Sequence, residues 1–448
     1  HLIMERSLQK ILIEWRDSPN RLPLIIQGAR QVGKTHLMKW FGKAHFEKYT
    51  YFNFDERPEL KDLFHANKDV DRILNTLSMI SGITINADSL LIFDEIQECP
   101  EALNTLKYFS EKKPEIPIVC AGSLLGIILN SGTSFPVGKV TFLTLHPMTF
   151  REVLPYWNKN LAQYSNQLVG VEPIPQYFYN DLVDQFKKYL ITGGMPAVVN
   201  ALNAENSFDA CEIVLSSLIL SYQGDFAKHP LMSNVAKIVQ VFNSLPSQLA
   251  RENKKFVYQL VRTGARAREY EDAIQWLIRA GLFYQVKLIS KPGIPLSAYD
   301  DEHAFKIYAL DVGIMRKMAR ISPIAYTEGT RLFTEFKGAI IENYILQSLV
   351  AQFEVMPRYW TSDNSAEIDF VIQYQNEIIP VEVKSDENIR SRSLSVYHQK
   401  YNPRLRIRYS LKNFSLKDGL LNIPHFMADY TKEIIQHVFD VYLPPYST

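Results

Sequence analysis

The sequence predicts an α/β protein: a core on a parallel sheet, a helical and winged-helix-like middle domain, and a second α/β domain at the C-terminal end. Three observations carry this. Strand-like stretches near 24–26, 49–54, 89–94, 116–121 and 139–145 alternate with helical stretches near 58–80 and 100–112, the pattern of a parallel sheet covered on both faces. Beyond His146-Pro147 the pattern turns mostly helical and rich in Tyr, Phe and Leu, and from about Phe333 strand-like runs return. The 448 residues suffice for about three domains at roughly 150 residues each. The expected boundaries are 1–146, 147–330 and 331–448.

Residues 4–20 place Leu8, Ile11, Leu12 and Trp15 at helical spacing before Ser18-Pro19-Asn20 breaks the pattern. Two readings of Arg6 stand: a cation over a nucleotide base, or part of a solvated, charged helix start. Leu24 to Ile26 then lead into Gly28, Ala29, Arg30, Gln31, Val32, Gly33, Lys34 and Thr35, and a helical pattern follows. Gly-x-x-x-x-Gly-Lys-Thr between a strand and a helix is a phosphate cradle. Its glycines let backbone N–H groups turn onto phosphate oxygens, and the helix adds its positive end. Lys34 is expected on the β- and γ-phosphates of ATP, and Thr35 on Mg²⁺.

Leu90 to Phe93 read as a buried strand ending in Asp94 and Glu95. Two acids at the end of a buried strand need a purpose. Asp94 suits Mg²⁺ through its water shell, and Glu95 suits the water that attacks the γ-phosphate. The strand Ile116 to Ala121 ends in Gly122-Ser123. Ser123 is either a γ-phosphate sensor or an ordinary Gly-Ser turn. Together these stretches describe a P-loop ATPase core with Glu95, Lys34 and Ser123 as its candidate catalytic residues.

In the middle region a helix must stop at Gly193-Gly194-Met195-Pro196. Lys254 to Gln285 reads as winged-helix-like: a helix Phe256 to Val261, a turn at Thr263-Gly264, a helix Arg268 to Ala280 and a strand Leu282 to Leu288. Arg262, Arg266 and Arg268 crowd the start of the second helix, where such modules touch DNA phosphates. Glu269, Glu271 and Asp272 share that turn, so internal packing or partner docking is the other reading.

The C-terminal region carries two strand-like runs, Ala366 to Ile372 and Glu377 to Lys384, joined by a two-residue hairpin at Gln375-Asn376. In that register Asp369 faces Glu382 and Glu367 faces Lys384. Opposed carboxylates destabilise a sheet unless neutralised. A second divalent cation, Mg²⁺ or Mn²⁺, would do so, with Lys384 steadying a phosphate and Glu342 leaning in from a helical pattern. The competing reading is a polar strand face with a Glu367–Lys384 ion pair and Val381 and Val383 turned inward.

The formal net charge of +1 excludes a chain held to nucleic acid by charge everywhere and leaves room for one basic face. Cys99, Cys120 and Cys211 have no paired spacing, so they imply neither disulfides nor zinc. No apolar run approaches the roughly 18 residues of a membrane span. No membrane partner is expected, and the cytoplasm is the expected location.

Glu5-Arg6, Gly28 to Thr35 with Arg30-Gln31, Leu91 to Glu95 with Gln97, and Gly193 to Pro196 together resemble a family of bacterial and archaeal AAA-type ATPases with a C-terminal domain of unknown function. The resemblance covers nearly the whole chain. It implies a C-terminal domain similar to the PD-(D/E)xK nuclease fold, with Asp369, Glu382 and Lys384 carrying the motif and Glu342 as upstream acid. Such chains usually have Gly-Arg before the last core strand; this one has Gly138-Lys139. Two functions follow as expectations. One is an Mg²⁺-dependent ATPase whose nucleotide state controls a nuclease-like domain on or near DNA; the other is a slow regulatory switch whose C-terminal domain binds a protein partner.

Overall fold

The structure, a computed structural model, describes residues 4–129, 138–168, 170–229, 231–328, 331–363, 366–385 and 392–443. Its contacts gather into two units, His1–His146 with Gln275–Leu282, and Pro147–Ile274 with Phe283–Thr448.

The first unit is built on β1 (Leu24–Gln27), β2 (Lys48–Asn53), β3 (Ser89–Asp94), β4 (Ile118–Gly122) and β5 (Thr141–Thr144). They pair in the order β2-β3-β4-β1-β5, every pair parallel. A parallel sheet is covered on both faces, so its central strands read as continuous apolar runs. β3 accordingly is buried at every residue. Phe93 packs among the rings of Phe52, Phe54 and Phe64; truncating such a core phenylalanine to alanine costs about 3–5 kcal/mol. β4 lies between β1 and β3, with Cys120 level with both Ile25 and Phe93. Gly28, Asp94-Glu95 and Ser123 therefore leave three adjacent strands at the same carboxyl edge. The sequence placed these elements within one or two residues, because periodicity and turn chemistry agree along this stretch.

Among the described residues of the second unit, six helices run from Phe150–Trp157 to Met232–Leu249. The helix Gln176–Thr192 stops at Gly193, whose φ of 66° suits a glycine. A Cβ there would lie 2.1 Å from Asp311 Oδ2, and one on Gly194 would lie 1.8 Å from the Met148 carbonyl oxygen. The close approach has a purpose: Asp311 accepts the Gly194 N–H at 2.7 Å and caps the helix Val312–Met318 through Ile314 N–H. Burial raises the Asp311 carboxyl to about 6.

The second unit's sheet comprises β6 (Phe283–Ile289), β7 (Asp300–Ala309), β8 (Arg358–Thr361), β9 (Glu367–Tyr374), β10 (Glu377–Val383), β11 (Arg406–Ser410), β12 (Ser415–Lys417) and β13 (Leu420–Pro424). Their order is β12-β13-β11-β10-β9-β8-β6-β7. The antiparallel hairpin β6–β7 thus extends the C-terminal sheet across the expected boundary at 330/331. A boundary drawn from composition misses a strand pair formed over this distance in sequence.

One expected element differs. Phe256 to Val261 is not a helix; only Tyr258–Leu260 forms a single 3₁₀ turn. The backbone is engaged elsewhere: Phe256 N–H donates to Phe305 at 2.8 Å, and the Gln248 amide brackets Val257 with two bonds of 2.9 Å. The following helix, Ala267–Arg279, stops before Gly281, with φ 76°. All three cysteines are free and buried. Among the described residues no helix is long and apolar enough to cross a membrane.

Candidate active site

Positive φ angles at Gly28 (151°), Gln31 (67°) and Gly33 (102°) curl the loop between β1 and the helix Lys34–His45. The helix thus opens at the loop's floor, where its unpaired N–H groups and dipole favour an anion. Gly28 admits no side chain, since a Cβ would lie 2.3 Å from the Leu145 carbonyl oxygen. Arg6 fastens the rim by donating to the carbonyls of Val32, at 2.9 Å, and His146. It is buried, which overturns the solvated helix start: a guanidinium filling two backbone acceptors remains satisfied without water.

Lys34 folds back along the loop, donating to the carbonyl oxygens of Gly28 at 2.9 Å and Ala29 at 2.7 Å. Burial lowers its ammonium to about 8, against the pull of Glu95 and Asp94 and with a push from Arg30. Thr35 Oγ1 donates to Asp94 Oδ2 at 2.5 Å, and Tyr51 donates to the same oxygen at 2.8 Å. Glu95 N–H holds the other oxygen of Asp94 at 2.9 Å. The Glu95 carboxylate receives Ser123 Oγ at 3.0 Å and the Gln97 amide, both on Oε2. Ser123 is therefore more than a turn residue: its hydroxyl is aimed at the candidate base.

The arrangement brings together Lys34, Thr35, Asp94, Glu95 and Ser123. Adjacent hydroxyl and carboxylate oxygens are the donor set Mg²⁺ takes, with its remaining positions left to water and phosphate. Tyr51 was missed by sequence reasoning, since its only signal is a place on a strand beside β3. Lys139 pairs at 3.4 Å with Glu111 of the same unit.

The C-terminal acids meet a different environment. The hairpin register is as read, with Tyr374 opposite Glu377 and Phe370 opposite Val381. One step further, the Asp369 carboxylate accepts the Val383 N–H at 2.8 Å. Glu342 is buried, with Lys254 Nζ at 2.9 Å on Oε2 and the Tyr308 hydroxyl donating to Oε1 at 2.5 Å. Glu367 pairs with the fully buried Lys306, not with Lys384. Glu382 is buried rather than turned outward, with Lys384 at 3.3 Å and Arg408 at 3.4 Å. β10 lies inside the sheet between β9 and β11, and the helices Arg331–Gln352 and Ser393–Tyr401 pack against it, which a half-exposed strand pattern could not reveal.

Opposed acids do need neutralising, and here lysines supply the charge. Burial and the Glu342 carboxylate raise Asp369 to about 7, against Lys306, the Val383 N–H and Lys254. Burial alone would raise Glu342; Lys254, Lys306 and Tyr308 bring it below its ordinary value. Among the described residues no group of three or more His, Cys, Asp or Glu is placed to hold a metal ion. The second cation expected on Glu342, Asp369 and Glu382 with Lys384 is not shown by this arrangement, in which Lys254, Tyr308, the Val383 N–H, Lys384 and Arg408 hold those acids. Lys254 and Lys306 were invisible from the sequence, lying far upstream of the acids they meet.

Residues 20–154 match the family model described as AAA domain. Two models described as domains of unknown function match residues 183–325 (DUF8612) and 337–426 (DUF4143). Comparison with curated proteins gives no match. Among solved structures, a Walker-type ATPase of Pyrococcus abyssi is similar at 15% identity and a TM-score of 0.46, over 71% of this chain and 96% of that one. RuvB of Thermotoga maritima is similar at 15% identity and a TM-score of 0.31, over 63% and 93%. ORC1 of Aeropyrum pernix, solved in complex with DNA, is similar at 12% identity and a TM-score of 0.26, over 72% and 92%. The stretch similar to the AAA domain family thus contains Gly28 to Thr35, Asp94-Glu95 and Ser123.

Proposed function

We propose that the first unit binds ATP with Mg²⁺ on the loop Gly28 to Thr35 and hydrolyses it, with Glu95 orienting the attacking water. The observation that carries this is Thr35 Oγ1 at 2.5 Å from Asp94 Oδ2, two hard oxygen donors beside the ammonium of Lys34. Mg²⁺ when bound supplies charge neutralisation for the phosphate oxygens. Lys34 exchanges its two carbonyl partners for phosphate oxygens, a favourable trade because a bond between two charged groups is stronger than one to a neutral carbonyl. Ser123 and Gln97 hold Glu95 at Oε2, which leaves Oε1 as the oxygen assigned to the water. Phosphate release from ATP with and without Mg²⁺ tests this: Mg²⁺-dependent release is expected, and none in either condition contradicts it.

For the second unit we infer a binding role answering to nucleotide state, without metal-dependent cleavage. Lys254 on Glu342, with Lys306 acting on both Glu342 and Asp369, supports it, because these cations stand where a nuclease would need bare carboxylates. A second reading, contact with DNA, is favoured by the exposed Arg266 and Arg268 around the start of the helix Ala267–Arg279, where phosphate would also meet the helix dipole. Replacing both arginines with alanine should weaken DNA binding and flatten its salt dependence. Unchanged salt dependence would leave the protein-partner reading.

A further inference from the structure

We propose that Tyr51 is a positioning residue of the ATP–Mg²⁺ site, fixing the Asp94 carboxylate in the orientation that the metal's water shell requires. The inference rests on the reading of Gly28 to Thr35 as an ATP site. Tyr51 lies on β2, where parallel pairing sets it level with Ile92 and sets Asn53 level with Asp94. Its phenol therefore reaches the end of β3 from the neighbouring strand. It donates to Asp94 Oδ2 at 2.8 Å, the oxygen that also receives Thr35 Oγ1.

The direction of that phenol proton is set by its surroundings. Asn53 Nδ2 donates to the phenol oxygen at 3.3 Å, so the O–H is left to point at Asp94. Lys39 Nζ lies 3.9 Å from the centre of the Tyr51 ring, and a cation over the ring draws electron density and makes the hydroxyl a better donor. With Glu95 N–H on Oδ1, the buried carboxylate is held at both oxygens by groups from three separate elements. Partners that orient a metal-site carboxylate are typically worth about 10–100-fold in metal affinity.

The test uses the full chain and the substitution Tyr51→Phe, which keeps the ring and its contact with Lys39 and removes only the hydroxyl. Binding of a fluorescent ATP analogue is followed without metal and across an Mg²⁺ titration, alongside hydrolysis. Expected are unchanged affinity without metal, an Mg²⁺ midpoint raised about tenfold, and most of kcat recovered at saturating Mg²⁺. Lys39→Met should move the midpoint the same way by about two- to threefold, through loss of the cation over the ring. A Tyr51→Phe midpoint equal to wild type overturns the inference, as does a loss of affinity that is the same with and without metal. Wild type that shows no Mg²⁺-dependent binding overturns the ATP reading itself, and the Tyr51 role with it.

Discussion

Lys254 Nζ lies 2.9 Å from Glu342 Oε2, both side chains nearly shielded from water. Desolvation works against the Lys254 charge, yet Glu342 and the further acids Asp369 and Glu367 hold its pKa above the ordinary lysine value. The pair is thus charged inside the second unit, and each partner depends on the other.

Breaking this pair should be costly. Glu342→Gln leaves Lys254 buried without its carboxylate and is expected to destabilise by about 3–5 kcal/mol. The double variant with Lys254→Met should lose less than Glu342→Gln alone, since no charge is stranded. Urea denaturation measures both. A Glu342→Gln variant within about 0.5 kcal/mol of wild type contradicts the buried-pair account.

Asp369 gives a pH signature. Its folded pKa is raised to about 7 from the ordinary 3.8. Below the ordinary value both states carry the proton, and the group adds nothing to the pH dependence. As pH rises to about 7 the unfolded chain ionises first, so stability is lost across that window and the loss is complete above it. Asp369→Asn cannot ionise and keeps an acceptor for the Val383 N–H. It should gain on wild type by about 4 kcal/mol between about pH 4 and pH 8, read from melting curves. A gain that shrinks as pH rises contradicts the assignment.

Gly193 is needed for its backbone and for space. Gly193→Ala combines a φ of 66° with a Cβ 2.1 Å from the Asp311 carboxylate. A loss of roughly 2–4 kcal/mol is expected from strain and the displaced Asp311 bonds. Thermal melting at a fixed pH checks it, and a variant as stable as wild type would mean that the loop closes on Asp311 in some other way.

Glu95→Gln should retain ATP affinity and lower turnover by about a hundredfold or more, the usual effect of losing a group that accepts a proton from the nucleophile. Single-turnover hydrolysis with a parallel binding titration separates the two quantities. Undiminished turnover would move the base elsewhere.

How much was legible follows from how far apart the cooperating residues lie. Gly28 to Thr35, the apolar run into Asp94-Glu95, and Ser123 were readable because each signal is local and the strands alternate with helices. The hairpin at Gln375-Asn376 was readable for the same reason, since a short turn fixes register. What the hairpin faces was not. Lys306 on β7 reaches Glu367 on β9 only through the pairing of β6, β7, β8 and β9, and Lys254, ahead of Phe256, meets Glu342 on the helix Arg331–Gln352. No pattern within one element announces a counter-charge from another. Phe256 to Val261 failed as a helix because Phe305 and Gln248 claim its backbone, a tertiary competition that propensity omits.

Lys34 is expected to leave the carbonyls of Gly28 and Ala29 for the phosphates of ATP, and calorimetric titration of wild type and Lys34→Ala with ATP and Mg²⁺ tests this most directly. Wild type should bind, and Lys34→Ala should lose several kcal/mol, on the order of a buried charge pair broken, while keeping the wild-type melting curve without nucleotide. Equal affinity in the two proteins would contradict the phosphate-cradle reading.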